Sequence, residues 1–334
     1  MRNFWLYIVF ILILASCDRK EHAAVSFYYW KTNFDLSSLE QETLSENKVS
    51  KLYIRYFDLD VNPSTKEVFP VSPIHFKVKP TVASIVPVVF IQNKVMLEED
   101  FDSKALAKKT MDFIALINKK NDLECSEIQI DCDWTLTSKN NYLQFIEDFK
   151  RMSKKQISVT IRLHQVKYFE KTKIPNADRA VLMYYNMGTI AVESFNSIYN
   201  RETASKYVKS LKKYPIALDF ALPIYSWGIH ISEGRVIGLR NKLNTADLVS
   251  DINYKQINEF SFEVLKSHYK KNVFYKEGDV VKIEAISASD LKEMAEDLSE
   301  NSVHTAKEII FYDLDEINIR NYDKNIFKKI TAYF

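Results

Sequence analysis

The sequence predicts a (β/α)8 barrel, the TIM-barrel arrangement, with a small α+β insertion between its seventh and eighth strands. Apolar runs of strand length alternate with amphipathic helical segments, the pattern of βα units around a parallel sheet. Eight such runs can be counted. The last two are about eighty residues apart, too far for a bare loop, so that stretch carries structure of its own. The fourth run ends in carboxylates at alternate positions, which suits the C-terminal edge of a barrel strand, where the loops surround a mouth. A doubly wound open sheet is the alternative packing of the same units.

The strands read Val25–Phe34, Lys51–Asp60, Ser84–Gln92, Glu127–Asp133, Ile157–His164, Arg179–Tyr185, Ile216–Ile224 and Glu308–Leu314. Helical periodicity spans Asp102–Lys119, with Asp102 as its cap, and then Asn141–Met152, Thr203–Tyr214 and Asp290–Ser299. Within the insertion, about 229–287, turns at Glu233-Gly234 and Glu277-Gly278 predict two hairpins, with a helix over Asp251–Tyr269 between them. The barrel with its insertion accounts for 25–334.

The first sixteen residues have a different character. One positive charge at Arg2 precedes an apolar run from Phe4 to Ala15, too short to span a bilayer comfortably and built like a secretory signal. Leu14-Ala15-Ser16-Cys17 resembles the lipobox of bacterial lipoproteins. That likeness implies a signal over 1–16, a lipid on Cys17, a short tether over 17–24, and an envelope protein anchored to the inner or outer membrane.

Composition narrows the chemistry. Cleavage after residue 16 removes Arg2 and no acidic residue, so the formal charge falls from +2 to +1, a balance that argues against nucleic acid. The chain has only five glycines and no closely spaced pair able to cradle a phosphate, which argues against nucleotides and leaves no cofactor motif. Six histidines form no metal-ligand spacing, and no G-x-S-x-G elbow occurs. Cys125 and Cys132 lie seven positions apart. On an extended strand that is roughly 20 Å, beyond disulfide reach, so both are expected as buried thiols. At 46% hydrophobic, a chain this long can bury one large core.

Side chains alternate across a strand, so Gln129, Asp131, Asp133 and Thr135 share one face, and Ile128, Ile130, Cys132 and Trp134 the other. Like charges this close raise one pKa, which makes Asp131 and Asp133 candidates for acid chemistry; the plainer roles are helix capping or an ion pair with Arg162. Arg162 and His164 fall on one face of strand five with Ser158 and Thr160, a candidate site, although a buried histidine is often only a satisfied core residue. Asp58, Asp60, Asp313 and Asp315 are the other carboxylates at strand ends, each equally suited to capping a turn. Arg55, on the face of Tyr53 and Phe57, is placed to bind one of them. Glu233 is expected in a solvated turn. Trp30, Trp134, Tyr185, Tyr225 and Trp227 fall at or just past strand ends, where flat rings can stack on a sugar; parity points Tyr185 and Tyr225 inward and Trp134 outward.

Four of these places resemble the glycoside hydrolase family 18 barrels, the chitinases and their non-catalytic lectin cousins. The family's strand four carries D-x-x-D-x-D-x-E, and Asp131-Cys132-Asp133-Trp134-Thr135 matches its core. Its strand six ends M-x-Y-D, where this chain has Met183-Tyr184-Tyr185-Asn186. Its strand seven runs into L-P-x-Y-G, matched by Leu222-Pro223-Ile224-Tyr225-Ser226, and it often inserts an α+β unit there. Phe27-Tyr28-Tyr29-Trp30 is compatible with strand one. Barrels of this type in bacterial lipoproteins resemble the chain more closely than a true chitinase does.

The resemblance implies an oligosaccharide or polysaccharide partner at the mouth. It also marks departures. The family's proton donor is replaced by Thr135, the first motif aspartate by Ile128, and the strand-six aspartate by Asn186, so the substrate-assisted mechanism has lost its acid. The expectation is a glycosidase-type barrel using Asp131 or Asp133 with a carboxylate from strand two or eight, Asp313 among them, and Tyr185 beside them. Trp227, Tyr225, Asn186, Arg162, His164, Arg55 and Asp58 would hold the sugar. The alternatives are a glycan-binding barrel without turnover and a docking lipoprotein.

Overall fold

A computed structural model describes residues 22–192 and 196–334; the expected signal and Cys17 lie outside them. Eight parallel strands close into a barrel: β1 (Ala24–Tyr29), β2 (Lys51–Val61), β3 (Ser84–Ile91), β4 (Glu127–Cys132), β5 (Gln156–Arg162), β6 (Arg179–Met183), β7 (Leu218–Pro223) and β8 (Glu308–Tyr312). Each pairs with its sequence neighbour, and β1 closes the ring by pairing with both β2 and β8. The (β/α)8 fold is therefore present, and the open sheet is excluded.

The outer layer follows from helix chemistry. Ser103–Lys120 starts where the Asp102 carboxylate accepts from the amides of Lys104 and Ala105, both at 3.0 Å, and it buries Leu106, Thr110, Ile114 and Ile117 at helical spacing against the sheet. Lys139–Ser153, Arg201–Val208 and Ala288–Asn301 occupy the other expected places. Trp134 points outward as parity requires, fully buried and stacked on Tyr142 at 5.4 Å.

Several elements depart from expectation. The first strand stops at Tyr29, and Asn33–Phe34 pairs separately with His75–Phe76. A helix at Ser38–Glu46, opened by a Ser37/Glu40 capping box, was not anticipated. Strand five ends at Arg162, so His164 stands exposed on the helical turn Leu163–Lys167 rather than on a strand face. In β2 the register shifts between Arg55 and Phe57, a bulge that sends both Tyr56 and Phe57 outward, onto Asn118 and Phe113. Strict alternation had put Phe57 on the face of Arg55. The bulge places Arg55 and Asp58 together on the inner face instead.

The insertion is α+β, but its middle is not the expected helix: Tyr254–Asn258 and Ser261–Val264 form a hairpin within the span Asp251–Tyr269. Phe262 and Val264 are buried at alternate positions, a strand signature that outweighs the polar composition. The Glu233-Gly234 hairpin is present, both residues at positive φ, joining Ser226–Ser232 to Arg235–Asn241. The strands flanking Gly278 do not pair with each other. Val273–Tyr275 pairs with His268–Lys270, while Val280–Ala285 runs between Ser226–Ser232 and Ser261–Val264. The insertion thus begins at Ser226, so Trp227 belongs to it.

The barrel interior is layered. At the N-terminal end Arg179 pairs with Glu127 (3.0 Å), Glu308 (2.7 Å) and Asp219, and Lys51 with Glu127 and Glu308 (3.1 and 3.3 Å). Above it Tyr28 donates to Gln129 at 2.7 Å. The next layer opens into the mouth. Cys125 and Cys132 are free and buried, as expected.

Candidate functional site

The mouth is a cavity of about 510 Å³ built by the C-terminal ends of the barrel strands and the first hairpin of the insertion. Asp131, the last inward residue of β4, is 5% exposed and accepts from Thr160 Oγ1 at 2.6 Å. Burial pushes its carboxyl up to about 7; the Thr160 hydrogen bond opposes this and the Asp133 charge adds to it. Asp133, two residues on and half-exposed, is held by Arg162 Nε at 2.6 Å. The ion pair with Arg162 weighed from sequence is therefore real, and it lies in the cavity wall.

Across the barrel the β2 bulge delivers a second such pair. Arg55 donates from Nε and Nη2 to the two oxygens of Asp58 at 2.7 and 2.6 Å, a bidentate fork. Asp313 follows β8, joined to Tyr312 by a cis peptide. It is 7% exposed and accepts from Asn318 Nδ2 at 2.6 Å, and burial pushes it up to about 6 against the nearby charge of Lys242.

Rings form the rest of the wall. Tyr185 stacks on Tyr312 at 5.6 Å, Tyr225 packs on Trp227 at 5.3 Å, and Trp30 meets Tyr312 at 5.4 Å. Tyr225 donates to Asn186 Oδ1 at 2.6 Å. Burial drives the Tyr185 and Tyr312 hydroxyls far above their ordinary pKa, so they stay protonated donors. Trp227 is fixed from behind: its Nε1 donates at 3.0 Å to Glu284, a buried carboxylate that also accepts from Ser197 N (3.0 Å), Ser197 Oγ and Lys282 (3.0 Å).

Ten of the predicted site residues meet here: Asp131, Asp133, Tyr185, Asp313, Trp227, Tyr225, Asn186, Arg162, Arg55 and Asp58 all line the cavity. His164 does not. It borders a smaller recess beside Arg162 and Tyr185, where partial desolvation of its ring and the Arg162 charge lower its pKa. Asp60 is tied to Lys94 at 2.6 Å, and Asp315 caps the following helix while pairing with Lys242 at 2.6 Å. Glu233 is exposed and pairs with Lys276. Thr135 leaves the strand register after Trp134, is exposed, and bonds to Thr137 and Ser138 outside the cavity. No carboxyl therefore takes its place on β4.

Tyr312, Lys242, Ser226 and Asn318 line the cavity without having been singled out. Tyr312 was readable, since parity along β8 puts Glu308, Ile310 and Tyr312 on one face. Lys242 was not, because its place depends on how the insertion folds back. Among the described residues no group of three or more His, Cys, Asp and Glu side chains is arranged to hold a metal ion.

No family model matches the chain, and no curated protein does. Solved structures do match. A family GH18 chitinase from Cycas revoluta in complex with allosamidin superposes with a TM-score of 0.53 at 12% identity, covering 93% of this chain and 99% of that one. A Cycas revoluta class V chitinase mutant in complex with (GlcNAc)3 gives the same values. Catalytic domain 2 of the Ostrinia furnacalis Group II chitinase gives 0.50 at 10% identity, with 93% and 96% covered. At such identities the likeness is one of fold: the chain is a TIM barrel similar in build to those of the GH18 chitinases.

Proposed function

We propose that the chain binds an oligosaccharide or polysaccharide at the barrel mouth and does not hydrolyse it. One observation carries this reading: the mouth combines aromatic walls and ion-paired carboxylates, while Thr135, at the family's proton-donor position, faces away from it. Aromatic rings in the wall suit the apolar faces of sugars, and fixed carboxylate–guanidinium pairs suit their hydroxyls. The chitinase complexes with (GlcNAc)3 and allosamidin support a sugar as occupant of such a mouth.

A hydrolytic reading has one specific support. Asp131 at about 7 and Asp313 at about 6 are carboxyls on opposite strands of one cavity, so Asp131 could donate a proton while Asp313 serves as base. Titrating oligosaccharides into the chain while assaying for released reducing ends separates the two. Saturable binding without product is expected. Product formation abolished by Asp131→Asn and by Asp313→Asn would replace binding by hydrolysis.

The envelope location completes the proposal. Ala24 opens β1 at the end of the barrel away from the mouth, so a lipid on Cys17 would tether the barrel from that end. Cys17→Ser is expected to move the protein from the membrane to the soluble envelope fraction. Unchanged detergent partitioning would remove the anchor.

A further inference from the structure

Two carboxyl groups in the mouth are left out of its ion pairs. Arg55 is taken by Asp58, Arg162 by Asp133 and Lys242 by Asp315. Asp131 and Asp313 make no ion pair among the described residues, although both are more than nine-tenths buried and both line the cavity. Each keeps only neutral hydrogen-bond donors, Thr160 for Asp131 and Asn318 for Asp313. Two more polar atoms on the same wall are orphaned: Asn318 Oδ1 and Ser226 Oγ are buried without a hydrogen-bond partner. Between these groups stand the stacked rings of Tyr185 and Tyr312.

Buried carboxyls are costly without a cation, and aromatic faces attract one. Four carboxyls, Asp58, Asp131, Asp133 and Asp313, thus line the cavity against three cations, Arg55, Arg162 and Lys242, and each of the three is already engaged. A neutral sugar would leave both carboxyls without a charge partner. A uronate or phosphorylated sugar would add a further negative group to them.

We infer that the mouth takes a glycan with free amino groups, a partly or fully de-N-acetylated hexosamine oligomer, whose ammonium groups pair with Asp131 and with Asp313 beside the rings of Tyr185 and Tyr312. The inference rests on the glycan-binding reading above and adds the chemical class of the ligand.

It carries a pH dependence. Asp131 is faced by Asp133 on its own strand end, Asp58 from β2, Arg162 from β5, and the protonated Tyr28, Tyr185 and Tyr312. Asp313 is faced by Lys242 from the insertion, Lys31, Asp315, Tyr225 and Tyr312. Burial dominates both, holding Asp131 at about 7 and Asp313 at about 6. An ammonium favours the ionised forms, so its binding is weak where both are protonated, tightens as the pH rises through these values, and weakens again where the amino groups of the sugar lose their own protons.

Calorimetric titration of the native chain with β-1,4-linked tetramers of glucosamine, N-acetylglucosamine and glucose, at about pH 5 and about pH 7, tests this. The glucosamine tetramer is expected to bind at least about tenfold tighter than the other two at the higher pH, and to lose that advantage at the lower. Asp131→Asn and Asp313→Asn, each checked for an intact melting transition, should each erase the preference. Equal or tighter binding of the N-acetylated or glucose tetramer at both pH values would overturn the amino-sugar inference and leave glycan binding standing. No binding of any tetramer would overturn both. Displacement of the glucosamine tetramer by equimolar spermidine would show charge alone at work and overturn the sugar assignment.

Discussion

Asp131 shows what a buried carboxyl in the wall of the mouth costs in stability. In the unfolded chain its carboxyl ionises near 3.8; in the folded chain burial holds it at about 7. Below the lower value both states are protonated and the residue costs nothing. Between the two the unfolded state alone gives up its proton, so stability falls as pH rises, and above about 7 the loss is complete, on the order of 4 kcal/mol. Asp131→Asn keeps an oxygen for Thr160 and removes the ionisation, so it is expected to raise the melting temperature at pH about 8 and change it little at pH about 4. Unfolding curves at the two pH values check this. Asp133→Asn breaks only a half-exposed pair with Arg162 and is expected to shift stability by less than about 1 kcal/mol. Strand parity made the inward direction of both aspartates legible in the sequence. That one carboxyl of the pair is raised and that Arg162 is an ion-pair partner could also be weighed from sequence; which aspartate takes which role could not, because it depends on how deeply each is buried once the neighbouring strand is in place. The Arg55–Asp58 fork was hidden for another reason: a one-residue bulge breaks the alternation on which the reading relied.

At the scale of elements, the mouth is completed by the insertion rather than by the barrel alone. Trp227 sits on its first strand, and Glu284 on the paired strand holds the indole while gripping Ser197 of the loop after β6. Glu284→Gln weakens this three-way clamp without changing its volume. It is expected to lower glycan affinity about as much as Trp227→Phe, and to shift the Trp227 indole N–H resonance even in the absence of sugar. An unshifted resonance would deny Glu284 its positioning role. The hairpin bearing Trp227 could be anticipated from Glu233-Gly234, since both turn residues take positive φ. The strands within 251–269 could not be told from a helix by composition, and the alternate burial of Phe262 and Val264 shows only against the sheet they complete.

For the whole molecule, the two ends of the barrel divide the labour. The N-terminal end holds Arg179 among Glu127, Asp219 and Glu308, and the C-terminal end holds the cavity. Arg179→Met leaves three buried carboxylates with Lys51 as their remaining cation, so it is expected to cost about 3–5 kcal/mol in denaturant unfolding while leaving glycan affinity unchanged. Eight strands, their order and the late insertion could all be read from hydrophobic periodicity, because every unit of a barrel needs an apolar strand between amphipathic segments. The closing of the mouth by Lys242 and Asn318 could not, since both arrive from segments with no barrel periodicity. The central claim is that a sugar occupies this mouth, and a crystal structure of the chain with an oligosaccharide at saturating concentration tests it most directly. A sugar ring stacked within the walls of Tyr185, Tyr225, Trp227 and Tyr312, hydrogen-bonded to the Asp133–Arg162 or Arg55–Asp58 fork, is the predicted result. An empty mouth, or a sugar bound only elsewhere on the surface, would contradict it.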